Sequence, residues 1–297
     1  MTKKRCALVA IVGRPNVGKS TLMNHLLGQK LSITSRKPQT TRQQILGVRT
    51  ENDIQLVFID TPGLHGGQSK AMNRLMNKAA LSALTDVDVT LLLCDRMRWT
   101  DEDEFALLAV ARQGAPVALV INKLDLLVEQ EPLLPFATSL SDRCHFDAVL
   151  PISALRKQGL SDLTQYLESK APEAPYLFPE DAVTDKSQRF FAAELVREKI
   201  VRQLGDELPY STAVEVENFS ENTNGVLHIG LLILVERAGQ KKILIGESGG
   251  RLKTIGTAAR KDMERMFGQK VMLKLWVKVK AGWSDDLRAL KTLGLDP

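Results

Sequence analysis

The feature that most constrains this chain is a glycine-containing segment near its amino end. An apolar run at residues 6–12 is typical of a buried strand, and residues 20–27 place apolar side chains at helical spacing. A strand, a Gly-x4-Gly-Lys-Ser loop and a helix together form a phosphate-binding P-loop. We therefore predict that a nucleotide is bound by Gly13, Arg14, Pro15, Asn16, Val17, Gly18, Lys19, Ser20 and Thr21.

Each residue type in this loop has a chemical reason. The two glycines allow the backbone to turn successive N–H groups toward phosphate oxygens. The amino end of the helix adds partial positive charge, Lys19 can reach the β- and γ-phosphates, and Ser20 can bind Mg²⁺. We therefore expect Mg²⁺ as a cofactor and Lys19 as a catalytic residue.

Further apolar runs alternate with helix-like segments along the first half of the chain. The runs lie at residues 54–59, 89–94, 116–121 and 149–152, and the helical segments at 71–84, 101–111, 133–140 and 160–167. Near-continuous apolar strands separated by helices predict an α/β fold with a mostly parallel, doubly wound sheet. Ligands of such sheets bind at the carboxyl ends of the strands.

One polar motif ends the second apolar run and consists of Asp60, Thr61, Pro62 and Gly63, with Leu64 after it. We expect Asp60 to hold Mg²⁺ through water, and Gly63 to offer an N–H to the γ-phosphate and a hinge to a moving loop. Alone the motif is more often a simple turn. Its place at a strand end, some 40 residues after the P-loop, favours the metal interpretation.

A second polar motif, Asn122, Lys123 and Asp125, ends the run at 116–121. A carboxylate accepts two N–H bonds from the guanine edge, so Asp125 predicts GTP over ATP, with Asn122 and Lys123 bracing the loop. Ser153 and Ala154 follow the next run and can donate a backbone N–H to the guanine oxygen. Neither the Asn122 motif nor the Ser153-Ala154 pair is specific by itself. Together with the P-loop and the Asp60 motif, however, they occur in order along the chain, each at the end of a strand.

Residues 31–42, the switch loop, form a polar stretch between the P-loop and the second run. Such loops sense a γ-phosphate and order around it. Either Thr40 or Thr41 should place its hydroxyl on Mg²⁺ when GTP is bound, and the sequence leaves both open as catalytic and metal-binding residues.

The second part of the chain differs in composition. Residues 171–179 contain three prolines, so we place the boundaries at 1–170, a linker at 171–187, and a second domain at 188–297. The first 185 residues carry 21 basic and 21 acidic side chains, and the remainder carries 19 and 14, which supplies the whole net charge of +5. This weakly favours a polyanionic partner for the second part.

A Gly-x-x-Gly loop is the distinctive motif of this second part. We expect a helix at 188–205, strands at 212–219, 226–235 and 241–245, a helix at 251–267 and a strand at 271–280. Such a loop, followed by a helix, lets backbone approach about four single-stranded nucleotides. We therefore predict RNA contacts by Lys241, Lys242, Gly246, Glu247, Ser248, Gly249, Arg251 and Lys253.

With these motifs in place, the chain closely resembles the bacterial Era GTPases over essentially its full length. Further matching segments are residues 33–36, 39–42, 73–79, 253–256, 259–262, 274–280 and 282–283. The resemblance implies a P-loop GTPase domain followed by a smaller α+β type II KH domain. It also implies binding to the 3′ end of small-subunit ribosomal RNA, a role in small-subunit assembly, and peripheral association with the inner membrane. We further expect a cytoplasmic monomer.

Three features of the sequence qualify what the resemblance implies. KH relatives commonly carry a basic or neutral pair where this chain has Glu247 and Ser248. A carboxylate facing phosphate would repel it, so either Glu247 points away or RNA affinity depends on Lys253 and its neighbours. Leu64 cannot orient an attacking water as the glutamine of Ras-type GTPases does, which predicts slow unaided hydrolysis. Asn16 matches an asparagine that helps hold K⁺ in some relatives, and the sequence leaves K⁺ open.

Other functions fit less well. No apolar run approaches the roughly 20 residues of a membrane span, and the amino end has no cleavable signal pattern. Cys6, Cys94 and Cys144 lack metal-ligand spacing and predict free thiols in a reducing compartment.

A membrane-directed signalling switch without an RNA role is the main alternative. A P-loop kinase has no use for Asn122 and Asp125, and no catalytic cysteine or cofactor loop supports an RNA-modifying enzyme.

Overall fold

The computed structural model describes residues 3–35, 37, 40–64, 71–127, 133–204 and 212–294. Two β-sheets organise these residues, one of six strands and one of three. We call residues 3–170 with the larger sheet the first unit, and residues 188–294 with the smaller sheet the second unit. The boundaries drawn from the sequence stay predictions.

The first unit is the expected α/β sandwich. Its strands are β1 (Arg5–Val12), β2 (Ile45–Glu51), β3 (Ile54–Asp60), β4 (Val89–Asp95), β5 (Val117–Asn122) and β6 (Ala148–Pro151). Its helices are α1 (Lys19–Leu26), α2 (Ala71–Ser82), α3 (Asp101–Ala111), α4 (Leu133–Ser141) and α5 (Leu160–Lys170). The strand order is β2-β3-β1-β4-β5-β6, parallel except for β2, which pairs antiparallel with β3.

Helices cover both faces of this sheet, as the continuous apolar strands predict. Leu22 of α1 and Leu163 of α5 pack in one buried cluster, and Ala80 of α2 and Leu107 of α3 pack in another on the opposite face. Every residue of β4 is buried, as expected for a central strand. The doubly wound fold class is confirmed.

Strand β2 was not predicted from the sequence. It forms a hairpin with β3 through Asn52 and Asp53, whose φ angles are 50° and 61°. Two consecutive left-handed residues of this type make the tight turn that suits the twist of a hairpin. The asparagine-aspartate pair ahead of an apolar run was the local signal for this strand.

The second unit has the predicted mixture of helix and strand. Its elements are α6 (Gln188–Gln203), β7 (Thr212–Glu221), β8 (Val226–Val235), α7 (Ala238–Ile245), α8 (Gly250–Phe267), β9 (Lys270–Val279) and α9 (Leu287–Thr292). Strand β8 is central, antiparallel to β7 and parallel to β9. Helices α6 and α8 pack on one face of the sheet. The predicted end of α6 at Gly205 lies outside the described residues.

One prediction in the second unit is wrong. Residues 241–245 form the end of helix α7 instead of a strand. The side chain of Gln240 accepts hydrogen bonds from the N–H groups of Glu236 and Arg237, at 2.9 and 3.0 Å, and so caps the start of the helix. This local hydrogen bonding outweighs the strand preference of the short apolar run.

The predicted linker is a packed segment. Backbone bridges join Arg5 to Glu173 and Gly47 to Thr184. The Gln55 side-chain oxygen accepts from the N–H groups of Leu177 and Phe178, at 2.9 and 3.0 Å. These contacts hold the proline-rich chain against the first unit.

The two units share a buried apolar cluster. Met72 and Met76 of α2 pack with Leu234 of β8, Trp283 and Leu290 of α9. Helix α2 therefore contacts the face of the small sheet that α6 and α8 leave open. Across the residues that the structure describes, no helix combines the length and apolarity needed to cross a bilayer.

Candidate functional site

The P-loop lies between β1 and α1, and its glycines are required by close packing. Gly13 has φ of 149°, and a Cβ there would lie 2.5 Å from the Leu93 carbonyl oxygen. Gly18 has φ of 107°, and a Cβ there would lie 2.3 Å from the Asn122 side-chain nitrogen. The loop therefore fits against β4 and β5 only with glycine at both positions.

The Lys19 side chain is buried within the loop that it belongs to. Its Nζ donates to the carbonyl oxygens of Gly13 and Arg14, at 2.9 and 3.0 Å. Burial lowers the pKa of Lys19 to about 8, although the nearby Asp60 charge acts to raise it. An anion placed here would restore the charge balance, as a nucleotide phosphate does.

Asp60, Ser20 and Thr41 meet beneath the P-loop. Asp60 is fully buried at the end of β3, and neither of its carboxylate oxygens accepts a well-formed hydrogen bond from a described residue. The Ser20 and Thr41 hydroxyls lie 2.8 Å apart, close enough to Asp60 to lower its pKa, although burial dominates and raises it. An orphaned buried carboxylate beside two hydroxyls is a donor set that fits Mg²⁺.

The structure separates the two candidate threonines. The Thr40 hydroxyl donates to the Lys37 carbonyl at 2.6 Å and lies 2.7 Å from the Ser35 hydroxyl. It therefore stays within the switch loop, whereas the Thr41 hydroxyl lies at Ser20. The geometry favours Thr41 as the metal-binding residue.

The segment after Asp60 lies across the P-loop. The Thr61 hydroxyl donates to the Ile11 carbonyl at 2.8 Å, and a Cβ on Gly63 would lie 2.7 Å from the Pro15 backbone nitrogen. The Leu64 N–H donates to the Gly13 carbonyl at 3.3 Å, and the Leu64 side chain is fully buried in the core. Leu64 can therefore contribute only its backbone to a nucleotide site.

The predicted guanine-binding residues are brought together at the ends of β5 and β6. Asn122 donates to the Val17 carbonyl at 2.7 Å and accepts from the Ala154 N–H at 2.9 Å, so it joins this region to the P-loop. The Ser153 hydroxyl donates to the Asp125 carboxylate. In this structure, then, the Ala154 N–H holds Asn122, where the sequence analysis expected it to face the guanine oxygen.

Two acidic residues near the site were missed by sequence reasoning. Asp103, in the first turn of α3, accepts from the Arg14 Nε at 2.9 Å. Asp95, at the end of β4, accepts from Lys123 Nζ and Arg96 Nε, at 2.9 and 2.8 Å. Burial acts to raise the pKa of Asp95, but these hydrogen bonds outweigh it and lower the pKa. Both carboxylates hold site side chains in place, and neither belongs to a contiguous motif.

Other predicted residues are placed as follows. Val17 is buried in the core, so its side chain cannot reach a ligand. Asn16 has φ of 65° within the loop, and Thr21 is half-buried in the first turn of α1. Pro62 is buried between β3 and Gly63.

The Gly-x-x-Gly loop joins α7 to α8. Gly246 has φ of 74°, and a Cβ there would lie 2.7 Å from the Arg251 Cβ, while Gly249, with φ of 78°, is the N-cap residue just before α8. Arg251 donates to the Ile243 carbonyl at 2.7 Å and so closes the end of α7. Exposed side chains around the loop include Lys242, Glu247, Ser248 and Lys253, with Lys241 half-buried.

Helix α6 of the second unit contacts the switch loop of the first. Arg197 donates to the Thr40 carbonyl. Glu198 is fully buried, accepts from the Thr34 N–H at 3.1 Å and from Lys30 Nζ at 2.6 Å, and pairs with Lys199 at 3.0 Å. The switch loop is thereby held between the nucleotide site and α6.

A further contact leaves the switch loop at its carboxyl end. Arg42 is buried and donates to the Thr212 carbonyl at the start of β7, at 2.7 Å. Burial lowers the pKa of Arg42 to about 9. Sequence reasoning could not find these pairs, because their members lie more than 150 residues apart.

Known proteins resemble this chain in both units. A family model described as 50S ribosome-binding GTPase matches residues 8–123, and a KH domain model matches residues 207–284. The chain is 57% identical over 293 residues to GTPase Era of Marinobacter nauticus, covering 99% of this chain and 96% of that protein. It is 58% identical over 290 residues to GTPase Era of Ectopseudomonas mendocina, covering 98% and 97%.

Two solved structures are similar along the whole chain. One is Era in complex with MgGDPNP and nucleotides 1506–1542 of 16S ribosomal RNA, with a TM-score of 0.94, 36% identity and coverage of 99% of this chain and 100% of that one. The other is a single-residue variant of Aquifex aeolicus Era bound to GDP.AlF4⁻, with a TM-score of 0.94, 37% identity and the same coverage.

Proposed function

The chain belongs to the Era family of GTPases, and on that premise we propose that it couples GTP hydrolysis to binding of the 3′ end of small-subunit ribosomal RNA. The observation that carries this proposal is the shared switch loop. Thr41 of that loop lies at Ser20 in the nucleotide site, while the neighbouring Thr40 carbonyl is held by Arg197 of the second unit. One loop thus contacts both the candidate nucleotide site and helix α6 of the second unit.

The nucleotide site supports hydrolysis by in-line attack of water. Lys19 leaves its loop carbonyls to hold the β- and γ-phosphates, and the Gly63 N–H can hold the γ-phosphate. Mg²⁺, when bound, supplies positive charge at the β- and γ-oxygens, and Ser20, Thr41 and Asp60 would hold it. The side chain of Asp125 selects guanine. Asn122 holds the guanine-binding loop against the P-loop, because its side chain donates to the Val17 carbonyl.

Assistance to the attacking water does not come from Leu64, because its side chain lies in the core. Gly63 packs against Pro15 of the P-loop, so we propose that its backbone N–H, with backbone groups of the switch loop, lies at the γ-phosphate. We therefore propose a slow intrinsic reaction that acts as a timer. Asn16 would hold a K⁺ ion if the chain uses one.

The second unit supplies the RNA site. The Gly-x-x-Gly loop, with Gly246 and Gly249 both at positive φ, allows close approach of an RNA backbone, and Lys241, Lys242 and Lys253 offer charge. The relative solved with a 16S ribosomal RNA fragment supports RNA as the partner. We extend the proposal to small-subunit assembly, with the chain acting as a monomer and associating peripherally with the inner membrane.

GTP binding is proposed to change RNA affinity through the switch loop. A bound γ-phosphate would favour the position that Thr41 has here, at Ser20. Because Arg197 and Glu198 of α6 hold Thr40 and Thr34 of the same loop, a change in that position would also act on the second unit. Each ligand then changes the affinity of the other by the same factor.

A substitution of Lys19 tests the nucleotide half of this proposal. We expect Lys19→Ala to retain GDP binding weakly and to lose most GTP hydrolysis, measured as phosphate release. Asp125→Asn should shift preference from guanine to xanthine nucleotides, since an amide cannot accept both N–H bonds. Unchanged hydrolysis by Lys19→Ala would refute the assignment of the site.

A further inference from the structure

Strand β9 presents a row of exposed side chains on the face of the small sheet that α6 and α8 do not cover. Residues at odd positions of the strand, from Val271 to Val277, pack in the core with α6 and α8. Residues at even positions are exposed, with 45% exposure at Met272 and 46% at Trp276. We call these five the β9 row: Lys270, Met272, Lys274, Trp276 and Lys278.

The charge of the β9 row is uncompensated. Neither its three lysines nor Lys280 form an ion pair with a residue that the structure describes. The carboxylate in register with Trp276 on the same face is Glu215, two strands away across Leu232. Two strand spacings are about 10 Å, which exceeds the screening length of about 8 Å at physiological salt. The row therefore presents positive charge to a partner.

Trp276 is held against the sheet. A Cβ at Gly230 of β8 would lie 3.0 Å from one carbon of the indole ring and 3.3 Å from another, so glycine at residue 230 lets the ring lie close against the sheet. Trp276 nevertheless remains 46% exposed. An indole fixed in this way is a surface on which a nucleic-acid base can stack.

The β9 row is separate from the Gly-x-x-Gly loop. The loop joins α7 and α8, in the layer of helices, whereas the row lies on the opposite face of the sheet. The remainder of that opposite face, at Leu232 and Leu234, is covered by α2 and α9. An RNA that passes along the row therefore runs beside α2 of the first unit.

We propose that the β9 row is a second RNA-binding surface, which binds the phosphates and stacks a base of RNA that extends beyond the Gly-x-x-Gly loop. This rests on the proposed RNA-binding function. Lysines at every fourth residue, about 13 Å apart along the strand, suit an extended polyanion. A lipid surface fits less well, because the Trp276 ring lies against Gly230 and does not project for insertion.

Two RNAs and two pairs of substitutions on the full chain test this proposal. One RNA is a four-nucleotide single strand, and the other is a single strand of about 20 nucleotides from the ribosomal RNA 3′ end. Lys274→Gln with Lys278→Gln changes the row, and Lys241→Gln with Lys253→Gln changes the loop region. Arg112→Gln, an exposed residue after α3, is the single-charge control.

We expect the row variant to bind the long RNA about tenfold more weakly in fluorescence anisotropy and the short RNA as wild type does. Its log-log salt slope for the long RNA should fall by about 1.4, at about 0.7 per lost single-strand phosphate contact. Trp276→Ala should weaken long-RNA binding by about tenfold, as for loss of one stacked base, and Trp276→Phe should restore most of it. Circular dichroism and thermal melting check that each variant folds.

The outcomes distinguish the two proposals. Equal affinity of the row variant and wild type for the long RNA overturns the β9 row, as does equal weakening for both RNAs. If the loop variant binds both RNAs as wild type does, the Gly-x-x-Gly proposal fails, while a loss confined to the row variant still supports the row. Binding to vesicles with one-third phosphatidylserine tests the lipid alternative. If the row variant loses vesicle binding but still binds the long RNA as wild type does, the β9 row is a lipid-binding surface.

Discussion

Glu198 is a buried carboxylate where the switch loop meets α6, and replacing it with glutamine tests whether charge holds the two units together. Glutamine keeps the volume, and its oxygen can still accept from the Thr34 N–H. Its amide nitrogen takes the place of the oxygen that accepts from Lys30 and Lys199, so the substitution removes the charge together with those two hydrogen bonds. The carboxylate pairs with Lys30 at 2.6 Å, with Lys199 at 3.0 Å and with Arg202 at 3.0 Å. Asp262 also pairs with Lys199 and would remain.

The expected magnitude follows from the exposure of these partners. Lys30 and Arg202 are more than one-third exposed, and exposed pairs contribute about 0.2–1 kcal/mol each. Lys199 is buried, and removing one partner of a buried pair costs about 3–5 kcal/mol. Because Asp262 still compensates Lys199, we expect Glu198→Gln to lower the free energy of unfolding by about 2–4 kcal/mol.

The stability difference between wild type and Glu198→Gln should also depend on pH in a predictable direction. Burial acts to raise the pKa of Glu198, but Lys30, the Thr34 N–H and Lys199 outweigh it and lower the pKa below the usual 4.5. A lowered carboxylate pKa contributes stability above pH 4.5 that is lost as the pH falls through the folded-state pKa. The difference between wild type and Glu198→Gln should therefore be full at pH 7 and shrink below pH 4.5.

Urea unfolding at pH 7 and at pH 4 measures both effects, with Glu217→Gln, an exposed site on β7, as the matched control. The variant should also show a smaller difference between its affinities for RNA with GDP and with a GTP analogue. Stability within about 0.5 kcal/mol of wild type at pH 7, as for an ordinary surface substitution, would refute the role given to the buried charge.

Three further results are expected at the nucleotide site. Thr41→Ala should raise the Mg²⁺ concentration needed for half-maximal GTP hydrolysis, whereas Thr40→Ala should leave it near the wild-type value; the reverse order would show that the wrong threonine has been chosen. Because the pKa of Lys19 is lowered to about 8 and a phosphate partner raises it, GTP binding at pH 8.5 should take up a proton. Calorimetry in buffers of different ionisation enthalpy detects this uptake, and its absence in wild type would contradict the Lys19 assignment. Gly63→Ala places a Cβ 2.7 Å from P-loop backbone and should reduce hydrolysis by at least tenfold, while Gly250→Ala, with open space around it, should not; equal rates would mean that the close packing does not matter.

The contiguous motifs of the chain could be predicted because each is set by neighbouring residues. The P-loop, Asp60 and Asn122 all lie at strand ends as the sequence implied, since parallel strands bring their carboxyl ends to one edge. The alternation of apolar runs and helical segments was enough to predict the five parallel strands of the larger sheet, but not the antiparallel strand β2. These features depend on periodicity and turn chemistry, which are local.

The features that sequence reasoning missed depend on distance in the fold. Choosing Thr41 over Thr40 required knowing which hydroxyl turns toward Ser20, and adjacent residues differ only by that direction. Helix α7 was mistaken for a strand because its apolar triplet is too short to show a period, and the Gln240 cap decided it. In the sequence, Glu198 is an ordinary residue of a predicted helix. Its role is visible only in the folded structure, where the Thr34 N–H of the switch loop donates to it.

The most direct measurement is the affinity of the full chain for the single-stranded 3′ end of small-subunit ribosomal RNA, with GDP and with a non-hydrolysable GTP analogue. If the switch loop joins the two sites, the two affinities should differ by about 5- to 150-fold, the range of common coupling energies. Arg197→Met, which removes the hydrogen bond to the Thr40 carbonyl, should reduce the difference between the RNA affinities measured with GDP and with the GTP analogue. Equal affinities in the wild-type protein would contradict the coupling.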